Sequence, residues 1–358
     1  MASTYKNFAA NDIATTRTLL HEAIPVTGTI VSGTYNDENI KYFNSGMFVS
    51  VYDYPYLSSS ANHILDITVG YASGSDYHGV TNGVQDSKKV NIYNQFAQVL
   101  VPYDVSGNIQ NFDQDGDLTA GGTQMDSCFF VSFARLLTKD EVKKGSFRFG
   151  LYTDIDNIAG STTTWTRTGE EVIGDYGAAT NYLQNSPTGE YGLLYSSEGD
   201  SSDTSNAVGH VYYQAGVAVI TSSLFEAATP TMTTASVMST ITTSSVGHLF
   251  VSGTIDECGN SIRFAHEDLD FNNTTELNST IYFCRANTGD YNYSSNPTYL
   301  SGSKIRVKGN NAFAEPVSYV TTIGLYSSDN ELLATAKLSE PLKKSPSNEL
   351  TLRVRLDY

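Results

Sequence analysis

Between residues 280 and 358 the chain reads Tyr282-Phe283-Cys284-Arg285-Ala286, then Asp290-Tyr291-Asn292-Tyr293 and Asn296-Pro297-Thr298-Tyr299. VSYVTTIGLY (317–326), ELLATAKL (331–338) and ELTLRVRLDY (349–358) follow. Each segment either alternates apolar with polar residues or is a short β-branched and aromatic run closed by turn residues, the pattern of half-buried strands. In the last segment Arg353 and Arg355 fall on one face, with Leu352, Val354 and Leu356 on the other. The run ends on Leu356-Asp357-Tyr358, which predicts a last strand pinned in a sheet. A β-domain over 246–358 is the expectation.

The same blocks carry a resemblance. YFCRANTGDYNYSSNPTYLSG, SYVTTIGLYSSDNELLATAKLSEPLKK and TLRVRLDY resemble the C-terminus of structural proteins of large contractile-tailed bacteriophages. VNIYNQFAQVLVPYDVSGNIQNFD (90–113), CFFVSFARLLTKDEVKKGSFRFGLY (128–152) and the segments from 190 to 221 extend it over more than half of the chain. The resemblance implies a neck, tail or baseplate component that is assembled in the host bacterial cytoplasm and ends up in the virion. It implies docking to other phage structural proteins and to further copies of itself. It carries no catalytic signature and does not say which component this is.

Working outward, the chain has 358 residues, room for two or three domains with a sizeable core. Charged residues make up only 16%, and Ser, Thr, Asn, Gly and 24 tyrosines fill the gap, a composition suited to sheets with polar faces. The net charge of −17 speaks against a sequence-independent nucleic-acid binder, which needs Lys and Arg to displace counterions. An acidic surface that lets DNA slide past is the alternative to plain solubility. Three cysteines are too few and too scattered for a disulfide framework, so buried free thiols are expected, with a Cys258–Cys284 bridge left open. The first ten residues have no apolar core for a secretory signal, and they read as a lead-in or an arm ordered on assembly. No apolar run approaches the roughly 20 residues of a membrane helix, so no membrane partner is expected.

Asn11-Asp12 before Ile13, Leu19, Leu20 and Ala23 predicts a helix over 13–23, ended by Pro25. Strands are expected at 27–31, 46–52, 64–71 and 90–93, and a short helix at 92–101. Residues 128–137 read as a buried strand, 138–141 as a helical turn and 146–152 as a strand. Residues 161–205 read as the least hydrophobic part, with SSEGDSSDTSN (196–206) as an exposed hairpin or loop, 208–221 as strongly strand-like and 263–265 as one more strand. The Thr/Ser-rich stretch 229–245 suits a linker, giving two domains, 1–240 and 246–358. The fold class is mainly β, with β-sandwich-like domains and a few short helices.

For chemistry, Asp113-Gln114-Asp115-Gly116-Asp117 spaces carboxylates as calcium loops do. Its Gly is fourth rather than sixth, and Gln124 stands where an EF-hand needs Glu, so an acidic turn is the better reading. The six histidines show no ligand spacing, there is no GxSxG elbow or phosphate-binding loop, and any carboxylate pair would be arbitrary. No enzyme, cofactor or metal is expected. The candidate partner surface is Tyr291, Tyr293 and Tyr299 together with Arg353 and Arg355, since Tyr offers large contact area at low entropic cost. Core aromatics of a sandwich, and charges guarding a strand edge, are the competing readings. The same tyrosines would serve a receptor- or carbohydrate-binding appendage, and a head decoration protein would share the composition.

Overall fold

The computed structural model describes residues 5–27, 39–118, 122–157, 165–225, 246–294, 296–302, 304–305 and 313–358. Among them the protein is mainly β, in large antiparallel sheets with a few short helices. The first half runs β1 (Ile13–Thr27), β2 (Ile40–Tyr42), β3 (Val49–Tyr52), β4 (His63–Tyr71), α1 (Asp86–Leu100), β5 (Ser127–Phe133) and α2 (Arg135–Thr138). Next come β6 (Glu141–Val142), β7 (Arg148–Asn157), β8 (Trp165–Gly174), β9 (Leu183–Ser186), β10 (Gly189–Leu194), β11 (Gly209–Tyr212) and β12 (Val217–Thr221). The last third holds α3 (Val246–Ser252), α4 (Ile255–Ala265), β13 (His266–Ala286), β14 (Leu300–Ser301) and β15 (Lys304–Ile305). It closes with β16 (Ser318–Tyr326), β17 (Leu332–Lys344) and β18 (Leu350–Asp357).

Two compact units emerge, Leu20–Thr275 and a discontinuous one made of Met1–Leu19 with Glu276–Tyr358. The chain passes from one to the other inside β1 and inside β13. The linker expected at 229–245 lies outside the described residues.

The larger unit is built on an eight-stranded sheet ordered β2-β3-β4-β5-β12-β11-β10-β9. Its central strand β5, CFFVSF over 128–133, is buried on both faces, which is why its apolar run does not alternate. Phe130 turns to α1, lying flat on Phe96 at 4.3 Å between ring centres. Phe129 turns the other way, to Phe225 and to Phe250 of α3. Phe133, on that second face, meets Phe147 and Phe271, the latter from the part of β13 that pairs with β7 and β6. Contact between β4 and α1 is close enough that Gly70 is required: a Cβ there would sit 2.6 Å from the Lys89 carbonyl. The buried hydrophobic core runs from Ile40 to Phe271 and lies entirely in this unit.

In the smaller unit the C-terminal half of β13 pairs with β18, from Ser279 opposite Asp357 to Ala286 opposite Leu350. β16 and β17 form a two-stranded ribbon, and β14 with β15 a second. The buried apolar side chains among its described residues are Ala286 at 9%, Leu325 at 6% and Val354 at 8% exposure. This unit is β-sheet with almost no interior.

Several expectations are corrected. Residues 13–23 are strand: Thr15, Thr16 and Thr18 favour extended backbone, and a place beside β13 outweighs the cap signal. Residues 90–93 are helical, because α1 starts at Asp86 and covers both the expected strand and the expected helix. Residues 263–265 end α4, whose start was legible as Thr254-Ile255-Asp256-Glu257, a capping box. Thr254 Oγ1 accepts from the Glu257 N–H at 3.2 Å, and a Glu257 carboxylate oxygen accepts from the Thr254 N–H at 2.7 Å. The polar stretch after 164 holds three strands, β8 to β10. The strand expected at 27–31 lies past Thr27 outside the described residues. No helix among the described residues is long and apolar enough to cross a membrane.

Candidate interaction site

A cleft of about 640 Å³ lies within the smaller unit. The end of β13 leads into a loop that is bound back by a buried lysine. Lys344 Nζ donates to the Thr288 carbonyl at 3.2 Å, to Asn292 Oδ1 at 2.8 Å and to the Ser345 carbonyl at 2.8 Å. Held this way, Tyr291 takes a left-handed backbone, φ +55°, which a bulky side chain adopts only under constraint. Its carbonyl accepts from Ser318 Oγ at 2.7 Å, fixing the loop to the start of β16. Tyr291 and Tyr293 both stand at the cleft with their rings nearly half exposed.

The other wall is β16. Gly324 leaves room for the ring of Tyr326, since a Cβ there would lie 2.8 Å from it. That ring meets Tyr5 at 4.8 Å between centres. Phe8 meets Tyr282 at 5.4 Å, Lys6 pairs with Asp290, and Arg285 Nε donates to Asp12 Oδ1 at 2.6 Å. Lys6 and the Asn287 N–H together hold the Asp290 carboxyl below the usual carboxylate range. Cys284 also reaches the cleft, and burial followed by the nearby Asp12 charge pushes its thiol up, away from the reactive thiolate. The arm 5–12 therefore joins the unit through aromatic and charged side chains.

Of the candidate surface, the cleft gathers Tyr291 and Tyr293 and leaves out the rest. Tyr299 ends a short turn capped by Asn296. Arg353 and Arg355 lie on the exposed face of β18, as the alternation predicts, whereas Leu350 and Leu352 reach the cleft. Arg355 is engaged locally, donating to Asp357 Oδ1 at 2.6 Å and to Ser279 Oγ at 2.9 Å. Sequence reading missed Tyr5, Phe8, Tyr319 and Tyr326. The strand pattern of 317–326 placed the last two on a sheet, but nothing local signals that an arm more than 300 residues away shares their cleft.

In the larger unit Asp113, Asp115 and Asp117 bring carboxylate oxygens within 4.8 Å of one another. Asp113 is buried and accepts from the Leu118 N–H at 2.7 Å, and Asp115 accepts from the Asp117 N–H at 3.1 Å. These are the bonds of an acidic turn, closed by Gly116 at φ +72°. Burial, and then its acidic neighbours, push the Asp113 carboxyl up to about 6. His210 lies buried beside this turn, its Nε2 3.3 Å from the Gln114 carbonyl, and burial pushes it down to about 4. Asp175 accepts from the N–H groups of Gly145 and Phe147 and from the Tyr213 hydroxyl, and burial still lifts it to about 6. The three cysteines are free thiols.

No protein-family model, no curated protein and no solved structure matches this chain. The phage resemblance therefore rests on the sequence blocks alone.

Proposed function

We propose that this protein is a non-enzymatic structural component of a tailed bacteriophage particle, in the neck, tail or baseplate region. In this reading it docks to copies of itself and to other particle proteins. One observation carries the proposal beyond the sequence blocks: the smaller unit is sheet with only Ala286, Leu325 and Val354 as buried apolar side chains among its described residues. Tyr5, Tyr291, Tyr293, Tyr319, Tyr326, Leu332, Leu333 and Tyr358 stay exposed. A sheet face that buries so little on its own gains most from being covered, and aromatic side chains are the residues interfaces favour. Self-association into a closed ring is the expected form of docking.

A receptor- or carbohydrate-binding appendage is the second reading, supported by the tyrosines that converge on one cleft. A head decoration protein differs from the first reading in copy number. Quantitative mass spectrometry of gradient-purified particles separates these. On the order of 6 to 18 copies per particle fits a symmetric neck, tail or baseplate ring. Hundreds of copies move it to the head surface, the sheath or the tube. Absence from particles overturns the structural reading.

A further inference from the structure

β16 pairs with β17 along one edge, and no strand lies along its other edge among the described residues. That open edge borders the cleft. An unbroken run, 318–328, lines it, although the side chains of a strand reach one side only at every second residue. The main chain itself, with the N–H and C=O groups that no described strand pairs, is therefore presented to the cleft. Residues 283–286 at the end of β13 line the facing wall in the same consecutive way.

The N-terminal arm already fits this place by its side chains: Tyr5 on Tyr326, Lys6 on Asp290, Phe8 on Tyr282. It does not use the edge. Among the described residues no backbone hydrogen bond joins residues 5–8 to β16, residues 5–11 are exposed, and about 640 Å³ of cleft remains beside them.

We propose that the cleft is a strand-accepting dock for the N-terminal arm of a second copy of this chain. The arm leaves its own cleft and adds to the open edge of β16 in a neighbour. The occupant is argued from three features. The side-chain contacts made within one chain are the same between two, so exchange gives up none of them, and it adds main-chain bonds to an edge that no described strand covers. Before Asp12 the arm's one charged side chain is Lys6, so it approaches a chain of net charge −17 without like-charge repulsion. The unit that receives it has the least interior and the most uncovered aromatic surface. The proposal rests on the assembly reading above and specifies its contact.

The test uses two full-length chains with different tags, co-expressed on a Cys284→Ser background. One carries Lys6→Cys and the other Asp290→Cys, a pair in contact whose exposed ion pair is worth little, so that the Tyr5–Tyr326 and Phe8–Tyr282 ring contacts stay in place. Treatment with a short bismaleimide should give a covalent pair of chains joined through positions 6 and 290, identified by peptide mapping. Deleting residues 1–9 from an otherwise unchanged chain should reduce its oligomer, read by light scattering, at least tenfold in association constant. A single chain carrying both cysteines checks that the positions are within reach. Cross-links found only inside that doubly substituted chain, or association unchanged by the deletion, overturn arm exchange. A chain that is monomeric throughout also overturns it. Ring-level copy number in particles with no inter-chain link leaves the particle reading standing and removes exchange. An inter-chain link in a protein absent from particles does the reverse.

Discussion

Gly70 and Gly324 both sit within β-strands, one in each unit, and their surroundings differ in kind. A Cβ on Gly70 would meet backbone, the Lys89 carbonyl at 2.6 Å and the Tyr93 nitrogen at 2.7 Å, inside a helix pressed on a sheet. On Gly324 it would meet the ring of Tyr326 at 2.8 Å, an exposed side chain that can turn away. The larger unit holds its strands by filling the space between layers, so each atom there is surrounded. The smaller unit holds its strands by ladders, ion pairs and one buried lysine, and leaves its faces uncovered. That contrast separates a part that folds around its own core from a part that, on the proposed reading, is completed by another chain.

Gly70→Ala gives the largest expected effect. Neither neighbour is the flexible end of a side chain, so α1 must shift off β4, at a cost of about 3 kcal/mol or more. For a unit of this size that is on the order of 6–12 °C in thermal midpoint. A circular dichroism melt measures it, and a loss below 2 °C would mean that the layers are not as tightly packed as the distances say.

The buried ionisable groups of the larger unit test the same packing by titration. His210 is held near 4 by burial, below its unfolded value of about 6.5. Its contribution is thus present above 6.5 and lost as pH falls through 4, on the order of 3 kcal/mol in all. Asp113 and Asp175 are lifted to about 6, and their sign is opposite: their contribution is present below about 3.9 and lost as pH rises through 6. In the unaltered chain the two trends offset each other between pH 6.5 and 4. His210→Gln should unmask a gain in stability on acidification over that range, measured by urea denaturation at pH 7, 5.5 and 4.5. Parallel pH profiles for the two proteins would show that His210 is hydrated.

How much of this was legible in the sequence follows the same divide. The β character, the buried run at 128–133 and the alternation of Arg353 and Arg355 against Leu352 and Val354 were readable, because period and side-chain type are local. The helix expected over 13–23 failed, because pairing with β13 is a distant event that no cap signal encodes. α4 was announced by its capping box at Thr254 and Glu257 and was simply missed. At the site, Tyr291 and Tyr293 line the cleft, while Tyr299, Arg353 and Arg355, read with them as one partner surface, do not. Lys344, which fixes the loop of Tyr291 and Tyr293, stands next to Lys343 in the sequence with nothing to tell the two apart, and only the fold shows that one lysine points out while the other is buried.

Lys344→Met tests whether that buried ammonium orders the cleft. It removes a donor shared by the Thr288 carbonyl, Asn292 Oδ1 and the Ser345 carbonyl and leaves them to find water. A local loss of about 1–3 kcal/mol is expected. Amide hydrogen exchange should speed up over residues 287–294 while α1 and β5 keep their protection. Faster exchange in both units would deny their separateness.

Gly324→Ala carries the smallest expected effect on stability, and it sharpens the comparison most. The added methyl presses on the ring of Tyr326 and on Leu332 Cδ1 at 3.3 Å, and because both side chains are exposed the cost should stay below about 1 kcal/mol. The same displacement removes the surface on which Tyr5 rests. A substitution that hardly moves the melting curve should therefore weaken docking of the arm, whereas Gly70→Ala should do the opposite, lowering the melt and leaving the arm's contacts alone. Light scattering on both variants beside their melts reads the two effects separately. If Gly324→Ala lowers the melt as far as Gly70→Ala does, the smaller unit has an interior of its own and its uncovered tyrosines need no partner.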